Sequence, residues 1–251
     1  MPDRVLDWGL LGPLNYRLEP IETVDTGGVV ATIEFDQDWR DSGAFYVAEN
    51  QYTEPGEPFD NATGLKLFGG RNLGEDTSTT TISFAAAGGD FGDQVQNVSF
   101  RIADIDTGPG ADLPGDVPGQ HQDVITVRAF DAQGNEVPVT ITAGAGVSVS
   151  GNTMTGSADD LDPTDGAGSA LIEITGPVSR LEIDYDNGGD AGQRVIVSDI
   201  HFETTEAGGL DGIVEGTSSD DLIDIVRAGD PEGDRIDAGD NIFPGNGPDD
   251  D

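Results

Sequence analysis

Residues 95–105 read Val-Gln-Asn-Val-Ser-Phe-Arg-Ile-Ala-Asp-Ile. From Val98 onward the pattern has a period of two. Val98, Phe100 and Ile102 share one side of an extended chain, and Ser99, Arg101 and Ala103 share the other. That is a strand with one buried face, and the pattern recurs in both directions. Upstream lie Val29–Phe35, Leu65–Phe68 and Thr79–Phe84; downstream lie Asp123–Phe130, Glu136–Thr142, Val147–Val149, Ala170–Thr175, Leu181–Tyr185 and Arg194–Phe202. Val124-Ile125 interrupts the alternation, as in a strand buried on both faces or entering a bulge. Asp131–Asn135 reads as a hairpin loop whose Gly134 supplies a positive φ. No window longer than ten residues carries a capped 3.6-residue period. About ten short strands separated by turns predict an all-β protein, an antiparallel β-sandwich or jelly roll. The segments Thr81–Phe84 to Val95–Ile102 and Leu171–Ile174 to Val178–Ile183 echo each other and read as two similar hairpins of one sandwich.

Composition narrows the function. The 251 residues hold 49 acidic and 11 basic side chains, for a net charge of −38, and no cysteine. Lys66 is the one lysine. Such a polyanion is repelled by phosphates, which argues against nucleic acid and acidic membranes as partners. No apolar run reaches the length of a membrane span. Without cysteine there are no disulfides, thiolate metal sites or thiol nucleophiles. The start, Met1–Leu18, interleaves Asp3, Asp7, Gly9 and Pro13 where a signal peptide would carry a basic and then an apolar region. Self-repulsion on this scale opposes compaction unless cations offset it.

The chain divides at about residue 205. Residues 1–27 read as an N-terminal segment packed on the sandwich through Trp8 and Tyr16, and 28–205 as the sandwich. Residues 206–215 read as a linker, and 216–251 as an acidic tail. From residue 206 on there are 14 acids against two arginines, and Phe243 is the one aromatic. Gly216–Asp224 and Gly229–Asp240 each place a Gly/Asp turn before an x-Ile-Asp triplet. Glycines allow the tight turn, the carboxylates point into it, and hard oxygen donors suit Ca²⁺. These two units resemble degenerate opening units of the RTX, or haemolysin-type, calcium-binding repeats, with consensus G-G-x-G-x-D-x-U-x. The resemblance implies a short β-roll start whose Ca²⁺ ligands are Asp221, Asp234 and Asp237, with Asp220 and Asp224 behind them. Ser219 replaces a usual glycine, and the register breaks at Ile225–Ala228 and again at Phe243-Pro244. The tail ends in a turn-like run, Asn246–Asp251, and is expected to be truncated. Phe100–Asp106, the acidic loop to Asp123–Val127, and Val197–Phe202 are similar to β domains that precede RTX tracts in large secreted proteins of marine bacteria, some with a Hint domain; no Hint signature occurs here.

Within the sandwich, Asp104 and Asp106, with Asp123 across an acidic Gly-rich loop, could converge on one cation. Trp39, Tyr46 and Tyr52 lie in a loop-rich stretch that could stack on sugar rings. His121 and His201 have no spacing that suggests a shared metal. There is no HExxH or GxSxG, and with 49 acids a plausible carboxylate pair has little specificity, so no enzymatic activity is expected. The sequence thus predicts a secreted calcium-binding protein exported by a signal-peptide-independent, type I route. Its acidic repeats would order on Ca²⁺, beside a β-sandwich interaction module. The alternative is a carbohydrate-binding or adhesive module with structural calcium, its partners extracellular glycans or surface proteins. The third reading is a non-catalytic fragment of a larger secreted enzyme.

Overall fold

A computed structural model describes residues 3–37, 42–69, 76–88, 91–110, 119–189 and 191–206. The chain divides into two units, Met1–Thr205 and Glu206–Asp251, and the first holds the sandwich. The tail units at 216–251 lie outside the described residues.

The described strands are β1 (Asp3–Leu6), β2 (Ile21–Asp25), β3 (Val29–Gln37), β4 (Gly43–Val47), β5 (Gly64–Gly69), β6 (Asp76–Ala86), β7 (Phe91–Ala103), β8 (Thr107–Gly110) and β9 (Gly119–Phe130). They continue with β10 (Glu136–Val137), β11 (Thr140–Ala143), β12 (Val147–Ser150), β13 (Thr153–Gly156), β14 (Ala170–Ile174), β15 (Arg180–Asn187), β16 (Gln193–Val197) and β17 (Ile200–Glu206). Two antiparallel sheets form a sandwich. One has eight strands, ordered β1-β17-β7-β16-β5-β4, with β14 also on β7 and β11 on β14. The other has nine, ordered β12-β13-β9-β15-β6-β3-β2, with β8 and β10 also on β9. The protein is all-β, as its alternation predicts.

The inner faces follow the two-residue period. In β9 the buried positions are His121, Asp123, Ile125, Val127 and Ala129; in β15 they are Leu181, Ile183, Tyr185 and Asn187. Val124 therefore does not interrupt the pattern. It is half-buried on the outer face, where its backbone pairs with Thr155 and Asp186. The side chains of both sheets, from Val29, Ile33 and Leu181 to Phe100, Ile172 and Phe202, join one core cluster. Burying a Leu, Ile or Phe in such a cluster contributes about 1.5–3 kcal/mol.

The strand count exceeds the expected ten because long apolar runs break. Glu136–Thr142 is two strands in different sheets: β10 pairs with β9, and β11 pairs with β14. Pro138 lies between them and has no N–H for a ladder, so the chain leaves one sheet there. Arg194–Phe202 likewise splits at Ser198-Asp199, where Trp8 Nε1 donates to the Ser198 carbonyl at 2.8 Å. In β7 the period slips between Val95 and Val98, because Asn97 adopts a left-handed conformation with φ 49°.

The internal echo is not a pair of hairpins. β6 and β7 belong to opposite sheets, and so do β14 and β15. Each echoed unit crosses the sandwich, and the two units pair with one another, β6 with β15 and β7 with β14. Val95 and Val178, one from each crossing, exchange backbone hydrogen bonds of 2.8 and 2.7 Å.

Candidate metal centre and acidic cleft

At one end of the sandwich the core stripe turns polar. The inner face of β9 runs from Ala129 through Val127 and Ile125 to Asp123 and His121, so two ionisable side chains occupy core positions. The stripe of β15 ends in Tyr185 and Asn187, and Asn187 stands opposite Asp123. An ionised carboxylate in such a place is unstable without polar partners. Asp123, 1% exposed, has two: the Tyr185 hydroxyl donates to Oδ1 at 2.7 Å, and the Asp106 backbone N–H donates to Oδ2 at 3.0 Å.

Asp106 comes from the opposite sheet's side of the chain. β7 ends at Ala103, Asp104 turns the backbone at φ 68°, and Asp106 leads into β8, which pairs with β9 so that Gly108 faces His121. Asp123 N–H returns the bond to the Asp106 carbonyl at 3.0 Å. This pairing places the Asp106 carboxylate against the imidazole, with Oδ1 2.6 Å from His121 Nε2. Oδ2 accepts the Leu161 backbone N–H at 2.6 Å. The segment bearing Leu161 is tied to β8 through Thr107 N–H to the Ala158 carbonyl and Asp160 N–H to the Thr107 carbonyl. Gly156 is required beside it, because a Cβ there would sit 1.9 Å from the Asp106 carbonyl oxygen.

A cavity of about 310 Å³ opens over this group, lined by Asp104, Asp106, Pro109, His121, Asp160, Leu161, Asp162, Pro163, Gln193 and Arg194. Arg194 Nε donates to Asp104 Oδ2 at 3.1 Å, and its Nη1 lies 3.4 Å from Glu49, which also meets Lys66 at 3.5 Å. Burial pushes the Asp104 carboxyl up to about 7, against the hydrogen bond and charge of Arg194, with Asp106 and Glu49 adding to the rise. Burial also pushes Asp123 well above the usual carboxylate range, although the Asp106 N–H, the Tyr185 hydroxyl and His121 oppose it. Tyr185 is raised well above an ordinary phenol, first by burial and then by the Asp123 charge. Both carboxyls respond to the same imbalance: the site crowds acidic groups where water is scarce.

A bound cation would offset that imbalance. Asp106, His121 and Asp123 each offer a ligand atom, these atoms lie within 4.8 Å of one another, and the group could hold a metal ion. Asp106 and Asp123 thus converge as the sequence suggests. Asp104 stands beside them in the same cavity and is held by Arg194. His121 is the member that sequence reasoning missed. Its signal is the pattern His121-x-Asp123-x-Ile125, one face of a strand that begins at Gly119 rather than Asp123. His201 is elsewhere, 2.6 Å from Asp199 and edge-on to Phe59.

Trp39 and the tail residues Asp220, Asp221, Asp224, Asp234 and Asp237 lie outside the described residues. Tyr46 is partly buried against the core. Tyr52 is half-buried: its hydroxyl donates to Glu54 at 2.5 Å, and the Arg101 guanidinium carbon sits 5.1 Å from its ring centroid. A Cβ on Gly166 would lie 2.6 Å from the same ring. Tyr52 N–H donates to the carbonyl of Pro163, so its segment braces one wall of the cavity.

No family model and no curated protein matches this sequence. Among solved structures, the enzymatically active domain of bacteriophage CBA120 tailspike protein 4 aligns at TM-score 0.33 and 10% identity, over 69% of this chain and 19% of that one. The adhesin domain of PrgB from Enterococcus faecalis bound to DNA aligns at TM-score 0.32 and 10% identity, over 70% and 69% of the two chains. The family 11 carbohydrate-binding module from Clostridium thermocellum, in complex with a β-1,3-1,4-mixed-linked tetrasaccharide, aligns at TM-score 0.25 and 11% identity, over 81% and 96%. Likeness this distant carries no argument about function. Among the described residues no helix is long and apolar enough to cross a membrane.

Proposed function

We propose that the sandwich is a non-catalytic binding module of a secreted protein, which takes a neutral, polyhydroxylated ligand of the carbohydrate class in the acidic cleft. The observation that carries this reading is the cavity lining. Asp104, Asp160 and Asp162 supply oxygen acceptors, Arg194 supplies donors, and Pro109, Leu161 and Pro163 supply small apolar faces. Hydroxyl groups donate to carboxylates, whereas phosphate or carboxylate ligands meet like charge. A volume of about 310 Å³ lies at the small end of ligand pockets, which suits one or two sugar units. Asp160 and Asp162 are exposed and form the rim. The Asp106–His121–Asp123 group, wholly buried behind them, serves as a structural cation centre rather than a reaction centre.

Calcium belongs in the same proposal to the tail, where Asp220, Asp221, Asp224, Asp234 and Asp237 offer an oxygen-only donor set by their resemblance to RTX units. The test of the module is binding of the full chain to an array of neutral glycans, repeated with Asp160→Asn and Asp162→Asn combined. A retained glycan whose binding falls at least tenfold in the double variant supports the reading. An array without a retained glycan, or binding indifferent to both substitutions, sinks it.

A further inference from the structure

We infer that the buried group at the head of β9 is a centre for a borderline d-block divalent ion, of the zinc, cobalt or nickel kind, held through His121 Nε2, and not a calcium site. The inference rests on the reading of Asp106, His121 and Asp123 as a cation centre, and it names the ion that centre selects.

The first argument is the donor set. Calcium takes six to eight oxygens and readily accepts bidentate carboxylates, whereas imidazole nitrogen suits borderline ions of lower coordination number. Here one of the three donors is a nitrogen, 2.6 Å from Asp106 Oδ1. The carboxylates are also poorly placed for bidentate binding, because each of their four oxygens already holds a partner. These are His121 and Leu161 N–H for Asp106, and Tyr185 and Asp106 N–H for Asp123. Such outer bonds fix a monodentate carboxylate and leave each oxygen one lone pair for an ion. Two monodentate carboxylates supply far fewer oxygens than the six to eight that calcium takes.

The second argument comes from outside the acidic cluster. Gln193 is 1% exposed and lines the same cavity; its Nε2 donates to the Asp186 carbonyl at 2.7 Å, and its Oε1 is buried with no hydrogen-bond partner. A buried amide oxygen left in that state costs about 1–3 kcal/mol. A cation in the cavity gives it a partner. With the Gln193 oxygen, which lines the same cavity as Asp106 and His121, the two aspartates and the imidazole would offer four donors, and the two carboxylate charges would balance one divalent ion. On binding, the proton held between His121 Nε2 and Asp106 Oδ1 leaves to solvent, and the two atoms separate beyond their 2.6 Å so that both can ligate the ion.

The test uses the full chain, stripped with chelator and titrated separately with Co²⁺, Zn²⁺, Ca²⁺ and Mg²⁺. The chain has two histidines, so paramagnetically shifted imidazole resonances under Co²⁺ identify a nitrogen ligand without any substitution. The expected result is one His-ligated Co²⁺, retained in His201→Gln, weakened on the order of 100-fold in His121→Gln, and not displaced by a thousandfold excess of Ca²⁺. Comparing wild type with His121→Gln cancels whatever the acidic tail binds. Displacement by equimolar Ca²⁺, or Co²⁺ binding with no shifted imidazole, overturns the choice of ion while leaving a cation centre in place. Failure of every cation to bind in a manner sensitive to His121→Gln or Asp123→Asn overturns both.

Discussion

Glu57→Gln should destabilise the sandwich far more than a surface charge change does. Arg101 projects from the outer face of β7, yet it is 5% exposed, because the segment around Glu57 folds over it. Its Nε lies 2.5 Å from Glu57 Oε2 and its Nη2 donates to Oε1 at 2.8 Å, a bidentate pair, while Nη1 donates to Ser169 Oγ at 3.0 Å. Oε2 also accepts the Glu54 N–H at 2.8 Å. Glutamine replaces one of these acceptors by an NH₂ that faces donors and leaves a buried guanidinium uncompensated. Charge-assisted bonds contribute about 1.5–3 kcal/mol, and breaking one side of a buried pair costs about 3–5 kcal/mol. About 3 kcal/mol is therefore expected, which for a domain of this size lowers the melting midpoint by about 6–12 °C. The sign of the pH dependence follows from Glu57 itself. Burial raises its pKa, but the Arg101 hydrogen bonds, the Glu54 N–H and the Arg101 charge together bring it below the usual value. A depressed carboxyl stabilises above its unfolded pKa of about 4.3 and loses that contribution as pH falls through the folded value. The gap between wild type and Glu57→Gln should thus stay constant from pH 8 to 5 and narrow only in acid below that. Urea unfolding across this range measures it. A gap under about 0.5 kcal/mol at pH 7, or one already closed at pH 6, refutes the reasoning.

Three further outcomes are expected. Gly156→Ala drives a Cβ into the Asp106 backbone carbonyl 1.9 Å away, where no side-chain rotation gives relief, so a loss of about 3 kcal/mol should appear in thermal unfolding together with weaker cation binding. An unchanged midpoint would mean that β13 and the Asp106 segment can separate freely. Tyr185→Phe removes the hydroxyl donor to buried Asp123 and should cost about 2 kcal/mol by urea unfolding at pH 7; a neutral result would show that the bond does not support that carboxyl. For the tail, millimolar Ca²⁺ should change the far-UV circular dichroism of the full chain where Mg²⁺ does not, and Asp221→Asn with Asp237→Asn should abolish the change. Ordering of this kind contributes about 2.7 kcal/mol at a hundredfold excess over Kd, and identical spectra in the two ions would dismiss it.

The strands were legible because a sandwich buries one face of each, and alternation around Phe100, Ile125 and Ile183 records that burial directly. What alternation cannot record is sheet membership. Glu136–Thr142 has one continuous pattern and serves two sheets, because Pro138 breaks the ladder without disturbing the alternation. The echoed units look like hairpins for the same reason: period and spacing are local, whereas crossing the core is not. The site divides along the same line. Asp106 and Asp123 could be read from a loop and a strand that adjoin in sequence, but Gln193 and Arg194 reach the cavity from β16, which only the pairing of β16 with β7 brings there. His121 was within reach of the sequence, and the reason it escaped is physical. Among 49 acidic residues no carboxylate is informative for being acidic; it is informative for occupying a position that the strand's period assigns to the core. On β9 that period runs through Ala129, Val127 and Ile125 without interruption into Asp123 and His121. A polar pair in an apolar stripe is unfavourable by several kcal/mol unless something compensates it. The place where the period holds but the hydrophobicity fails is therefore where a bound ion should be sought first.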